Sequence, residues 1–358
     1  HGLDALYNID KECYEKAILS GNEAKGVIYD IYGKLKPDLE ASTYKEKWGH
    51  PLLLISWSVI HEILMNKALD LDIPIKFGYR LNKVVSDGEG GEKVRVKFDH
   101  QESSSMREAE HDVLIAADGI NSMVRKDLFG LDGLKLQGRW LVRAVLPAEK
   151  RFVDVVGDSS KLTIRDEKRA SLFHNLGEKW LTWIVYTKFP PEADIYIPRD
   201  GAEARDVILG KDFEKYPEVQ QLARETPPEE IFVSNLKQLE PMLEDWRKGS
   251  VMLTGDAAHA MTPTLGQGAN MALEDALQMA VSMEGCSTAS DALEHFQTVR
   301  KPRVRKVFEY NLQYAKDANK EEEGDKKKTF LDMNEVTNFL FGNKGAVKPQ
   351  VEAKTSTK

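Results

Sequence analysis

Short apolar runs alternate along this chain with longer stretches of helical period, and together they predict a mixed α/β (α+β) protein. Val113-Leu114-Ile115 and Val251-Met252-Leu253 are runs suited to buried parallel strands. Each ends in a tight turn that carries a carboxylate, Ala116-Ala117-Asp118-Gly119 in the first case and Thr254-Gly255-Asp256 in the second. Trp180 to Tyr186 alternates at period two, with Trp180, Thr182, Ile184 and Tyr186 on one face and Leu181, Trp183 and Val185 on the other. Leu81–Val85 and Val94–Phe98 flank the glycines at 88–91 and predict a hairpin. Residues 1–75 read as mainly helical, 199–221 as a helical segment, and the stretch from Gly268 to about Ala318 as helical again.

The chemistry concentrates after Val251. Gly255 permits a sharp turn, and Asp256 sets a carboxylate at a strand end, where open α/β sheets bind ligands. Gly266-Gln267-Gly268 allows close backbone approach to something bulky and flat. A helix starting near Gly268 aims free N–H groups and its positive end at that ligand. The array Gly255, Asp256, His259, Pro263, Gly266, Gln267, Gly268, Asn270, Glu274 and Asp275 therefore describes a site for a polyhydroxylated, negatively charged cofactor. Upstream, Asp118-Gly119, Ser122 and Arg125 repeat the theme of a carboxylate at a strand end followed by the first turn of a helix. Alone, the first motif is also what an ordinary glycine-rich loop gives, and the second what a surface turn with a solvated Arg gives. Their pairing, in this order, carries the functional reading.

The two stretches resemble the DG and GD motifs of the single-component, class A FAD-dependent monooxygenases, of the salicylate hydroxylase and para-hydroxybenzoate hydroxylase type. Trp246 with Gly249-Ser250-Val251 resembles the lead-in to the GD strand, and His295 to Arg305 resembles the closing basic helix, so residues 50–310 align by pattern. The resemblance implies a Rossmann-like FAD-binding lobe with an inserted mixed β-sheet substrate lobe. In chain order that places one part of the FAD lobe at 1–130, the substrate lobe at 131–245, the second part of the FAD lobe at 246–318, and a charged, flexible tail at 319–358. It further implies hydroxylation or epoxidation of a small aromatic or polycyclic substrate with O2, and NADH or NADPH as electron donor. Asp256 then bonds the ribityl chain, and Gly255 turns the chain there. Gly266, Gln267, Gly268 and Asn270 face the flavin ring, and Pro263 lines its reactive edge. Asp118, Gly119 and Arg125 lie near the pyrophosphate and the nicotinamide route. His259 touches the flavin or braces the loop. Substrate-contact candidates on the middle sheet are Arg143, His174 and Tyr186.

Two departures from the family pattern stand out. No G-x-G-x-x-G occurs, and the glycines at 21 and 26 have the wrong spacing for one. The expectation is that an N-terminal βαβ unit of roughly 30 residues is missing. Trp57 stands where the family has an Arg that reaches the cofactor, and an indole cannot replace a guanidinium fork. These departures keep open an alternative: a truncated or degenerate flavoprotein homologue without redox activity, acting as a binding protein. A flavin-dependent halogenase is disfavoured, because no Trp-x-Trp-x-Ile-Pro stretch is present.

Composition narrows the classes further. The 358 residues carry a formal charge of −8 and no basic face, which argues against nucleic acid as a partner. Two cysteines, Cys13 and Cys286, have no ligand partners at useful spacing and read as thiols of a reducing, cytoplasmic compartment; no metal site is expected. The longest apolar run, Pro51 to Ile60, falls short of the roughly 20 residues that cross a bilayer. Residues 319–328, NKEEEGDKKK, form a charge run read as solvated.

Overall fold

A computed structural model describes residues 1–38, 40–101, 106–130, 133–149, 152, 160–166, 169–188, 198–320, 332–342 and 346–348. Of the charge run at 319–328, residues 319 and 320 end the helix Ala289–Lys320 and the rest lies outside the described residues. The chain is α/β with mixed sheets and divides into two compact units. The first comprises His1–Asp10, Pro74–Lys135 and Lys237–Lys358, and the second Lys11–Ile73 and Leu136–Leu236. This grouping assigns residues 11–73 to the second unit and residues 131–135 and 237–245 to the first, unlike the chain-order division.

The first unit is built on the strand Val251–Leu253, which pairs in parallel with Leu114–Ala116 and antiparallel with Arg247–Lys248. Val251, Met252 and Leu253 are fully buried, as an unbroken apolar run requires. Leu114–Ala116 is less buried than its sequence suggested. Ile115 is 38% exposed, because this strand is at the edge of its three-stranded sheet. The predicted hairpin is present as Tyr79–Asp87 and Val94–His100, extended by Met106–His111. Helices Gly268–Gly285 and Ala289–Lys320 follow the GD strand. Within the expected tail there is also a helix, Met333–Gly342, whose Val336 and Leu340 are buried in the core of this unit. The apolar spacing of those two positions, four residues apart, gives it one buried face.

The second unit carries a seven-stranded sheet in the order Ile231–Leu239, Leu134–Pro147, Trp180–Lys188, Arg169–Asn175, Ser160–Ile164, Val27–Ile31, Lys34–Asp38. Val27–Ile31 and Lys34–Asp38 fall in a region whose sequence reads as mainly helical. Tyr32 and Gly33 join them with φ values of 50° and 81°, the two left-handed residues of a tight hairpin. One sheet face packs Phe173, Leu181, Trp183 and Val185 against helices Gly201–Leu209 and Pro217–Glu225. Alternation within the strands then leaves His174, Thr182, Ile184 and Tyr186 on the opposite face.

Candidate cofactor site

The GD strand leads straight into the site. After Leu253, the Thr254 N–H bonds the Ala116 carbonyl at 3.0 Å and keeps the two parallel strands joined at their carboxyl ends. Gly255 then adopts φ 56°, ψ −142°, a conformation open essentially to glycine alone, and starts the one-turn helix Asp256–His259. The Asp256 side chain is exposed and makes no hydrogen bond or ion pair among the described residues. The protein wall on its inner side pushes its carboxyl up from the ordinary value, against the pull of His259 and Arg125.

The neighbouring carboxylate is in the opposite situation. Asp275 is fully buried, and its Oδ2 accepts from the Gly255 N–H at 3.0 Å and the Thr254 hydroxyl at 3.1 Å. The same oxygen meets His259 Nε2 at 2.7 Å, while Oδ1 accepts from Arg300 Nε at 2.7 Å. Burial alone would raise this carboxyl; His259 and Arg300 outweigh it and hold it at about 2. Asp275 is thus the hub that fixes the Gly255 turn. His259, expected beside the flavin or as a brace for the loop, has no exposed surface and lies 5.3 Å from the Trp246 ring. Its contacts are those of a brace.

Beyond the turn, Pro263–Leu265 forms a single 3-10 turn, and Gly266 follows with φ 64°. A Cβ at Gly266 would have no atom within 4 Å, so this stretch of backbone is open to a ligand. The helix Gly268–Gly285 starts immediately after, with no side-chain cap on its first N–H groups and no acidic residue in its first turn. Gln267 is committed elsewhere, donating to the Leu265 carbonyl at 2.7 Å and bonding His1 Nε2 at 2.5 Å. Asn270 donates to the Gly266 carbonyl at 3.2 Å. A Cβ on Gly268 would lie 3.8 Å from Asp256 Oδ1, so the exposed carboxylate and the positive helix end are neighbours.

The DG motif meets the GD motif through one side chain. Asp118 Oδ2 accepts from the Met123 and Val124 N–H groups at 2.8 and 3.2 Å, and so caps the helix Met123–Phe129. Ser122 Oγ accepts from the Arg125 N–H at 3.0 Å. Arg125 is fully buried, and its guanidinium donates to the main-chain carbonyls of Ile120, Asp256 and Ala257. Gly119 has φ 78° and open space at its Cβ position. An open cleft of about 650 Å³ runs beside Asp118, between Tyr79–Asn82 and Asn121–Lys126.

In the second unit, Arg143, His174 and Tyr186 share one sheet face. Arg143 pairs with Ile184, whose neighbours on that face are Thr182 and Tyr186, and His174 pairs with Thr182. Arg143 is exposed and lies 5.7 Å from the Phe232 ring. Burial lowers His174 to about 4 and raises the Tyr186 phenol. Trp57 begins the helix Trp57–Asp70 and is 67% exposed, so it is not held by packing.

Sequence reasoning placed Glu274 and Asp275 in the array without their role. Glu274 binds Arg303 through both oxygens, at 2.6 and 2.7 Å, and Arg300 at 2.6 Å. The signal was available: adjacent acids on one helix, and on the next two arginines three residues apart, which share a face. Among the described residues, none cluster as metal ligands, and no helix is long and apolar enough to cross a membrane.

A family model described as an FAD binding domain matches residues 15–311. The chain belongs to this family of FAD-dependent monooxygenases. FAD is the family's cofactor. The chain is 29% identical over 301 residues to 6-hydroxynicotinate 3-monooxygenase of Bordetella bronchiseptica, covering 81% of this chain and 70% of that protein. It is 25% identical over 323 residues to a chloroplastic zeaxanthin epoxidase of an Oncidium hybrid cultivar, and spans 46% of that relative's length. Among solved structures it resembles Klebsiella pneumoniae HpxO complexed with FAD and uric acid, with a TM-score of 0.71 at 20% identity, covering 96% of this chain and 82% of that one. CtdE in complex with FAD and substrate 4 gives a TM-score of 0.75 at 19% identity, covering 96% and 84%. At these identities the structural likeness shows the fold alone.

Proposed function

We propose that this protein is an FAD-dependent monooxygenase that places one oxygen atom of O2 on a small aromatic or polycyclic substrate. NADH or NADPH supplies two electrons, and the second oxygen atom leaves as water. The observation that carries this reading is the exposed Asp256 carboxylate, which has no hydrogen bond or ion pair among the described residues, beside the uncapped start of helix Gly268–Gly285. The pair offers an acceptor for sugar hydroxyls and, next to it, main-chain donors with a positive end for a ring that gains negative charge.

FAD, when bound, carries electrons from the nicotinamide to oxygen; the protein binds, orients and shields. Asp256 holds the ribityl hydroxyls. The backbone of Gly266, Gln267, Gly268 and Asn270 faces the ring, and Pro263, exposed ahead of them, lines the reactive edge. Asp118 borders the cleft that admits the pyrophosphate or the nicotinamide donor, and Gly119 follows it in the turn. Arg125 acts from behind by fixing the carbonyls of the Asp256 turn. On the sheet face of the second unit, Arg143 offers a cation, while neutral His174 and protonated Tyr186 offer hydrogen bonds to a substrate. Cys13 and Cys286 support a reducing, cytoplasmic setting.

One observation favours a second reading, a homologue that binds a small molecule without redox chemistry. Trp57 is exposed at a helix start where the resemblance places a cofactor-reaching Arg. NAD(P)H oxidation by the FAD-incubated chain separates the two readings. Substrate-stimulated oxidation with oxygen uptake supports the monooxygenase. FAD binding without any NAD(P)H oxidation supports the second reading.

A further inference from the structure

The helix Met333–Gly342 and residues 346–348 lie beyond the part of the chain that matches the family model. They nevertheless grip the helix that begins the cofactor site, at two points one turn apart.

The first grip is Arg303. Its guanidinium forks onto Glu274 and also donates to the carbonyls of Phe339 and Leu340, each at 3.1 Å. Those carbonyls belong to the last turn of Met333–Gly342, where no intrahelical partner is available and a cation is favoured. The same group covers the Phe339 ring at 5.2 Å. The second grip is Gln278, four residues on from Glu274 and buried. Its amide donates to the Val347 carbonyl at 2.9 Å and accepts from the Val347 N–H at 2.9 Å, pairing both main-chain groups of that residue as a strand would.

Glu274 and Gln278 are stacked on one face of helix Gly268–Gly285. From Glu274 the connection continues through Arg300 to Asp275, and from Asp275 to the Gly255 N–H at the start of the Asp256 turn. A third contact runs beside it: the His1 ring lies 5.6 Å from Phe341 and bonds Gln267, the residue before Gly268. The helix start has no side-chain cap of its own, so its position is set from behind.

We propose that residues 333–342 and 346–348 form a strap that positions the start of helix Gly268–Gly285 and the Asp256 turn, with Gln278 and Arg303 as positioning residues. This rests on the reading that FAD occupies that end of the helix. A coupling of this kind is reciprocal: if strap docking favours FAD, FAD must hold the strap in place to the same degree.

The test is amide hydrogen exchange of peptides covering 333–348 in the full chain, with and without FAD, together with FAD titration of Gln278→Leu. The strap predicts slower exchange of those peptides when FAD is bound, and about tenfold weaker FAD binding by Gln278→Leu at unchanged helix content. Equal exchange in both states, with a Gln278→Leu affinity like that of the unmodified chain, overturns the strap and leaves the FAD site standing. A chain that binds no FAD overturns both. Should Gln278→Leu not fold, exchange in the unmodified chain decides alone.

Discussion

The guanidinium of Arg125 donates to the main-chain carbonyls of Ala257 at 2.9 Å and Asp256 at 3.4 Å, and this side chain reinforces the main-chain pairing that already joins the two motifs. A charged donor completely removed from water must spend its hydrogen bonds on protein, and here it spends them on the turn that presents Asp256.

Arg125→Met keeps much of the side-chain volume and removes the donors. The expected loss is about 1.5–3 kcal/mol of stability, the usual worth of hydrogen bonds to a charged group. FAD binding should weaken with it, because the Asp256 turn loses its support. Urea unfolding and FAD titration of the same variant check both. An unchanged midpoint would show that Arg125 is a bystander.

Asp275 predicts an acid limb of stability. Its folded value of about 2 lies below the ordinary carboxylate value of about 4. A group depressed in this way contributes stability that is fully present above the ordinary value and is lost as pH falls through the folded one. Stability should therefore decline between about pH 4 and pH 2, and Asp275→Asn should flatten that decline at the cost of a less stable protein at neutral pH. The neutral-pH loss should be about 3–5 kcal/mol, since Arg300 stays buried with one carboxylate fewer. Chemical unfolding across pH measures it, and a variant with the same pH slope as the unmodified chain contradicts the assignment.

Much of the site was legible because backbone geometry leaves marks in residue types. Gly255 and Gly266 stand at the positive φ values their turns need, and Val251–Leu253 is apolar because it is covered on both faces. The Trp180–Lys188 strand followed from period two for the same reason. The links that depend on distant partners were not legible. Arg125 reads as a cation near the pyrophosphate or as a solvated turn residue, and only the fold shows that it is buried and ends on Asp256 and Ala257. Asp275 and His259 read as parts of a motif, whereas the bonds of Asp275 to His259, Arg300 and Gly255 are tertiary. The hairpin at Tyr32-Gly33 escaped because its turn uses a Tyr at φ 50°, which composition does not announce. The helix Met333–Gly342 was hidden by the charge run before it, although Val336 and Leu340 mark its buried face.

Trp57→Arg restores the residue type that the family resemblance places at this helix start. Trp57 is exposed, so its replacement should leave stability within about 0.5 kcal/mol. A charge-assisted bond to the cofactor is worth about 1.5 kcal/mol, or about tenfold in affinity. FAD titration of both forms reads this directly. Unaltered affinity would separate position 57 from the cofactor.

Asp256, at the end of a buried strand and with no hydrogen bond or ion pair among the described residues, is proposed to hold FAD. The most direct test is quenching of FAD fluorescence by the purified chain and by Asp256→Ala, with unfolding midpoints measured alongside. Saturable quenching is expected from the unmodified chain, none from the variant, and no loss of stability in the variant, whose carboxyl makes no hydrogen bond or ion pair among the described residues. Equal quenching by both proteins, or none by the unmodified chain, contradicts it.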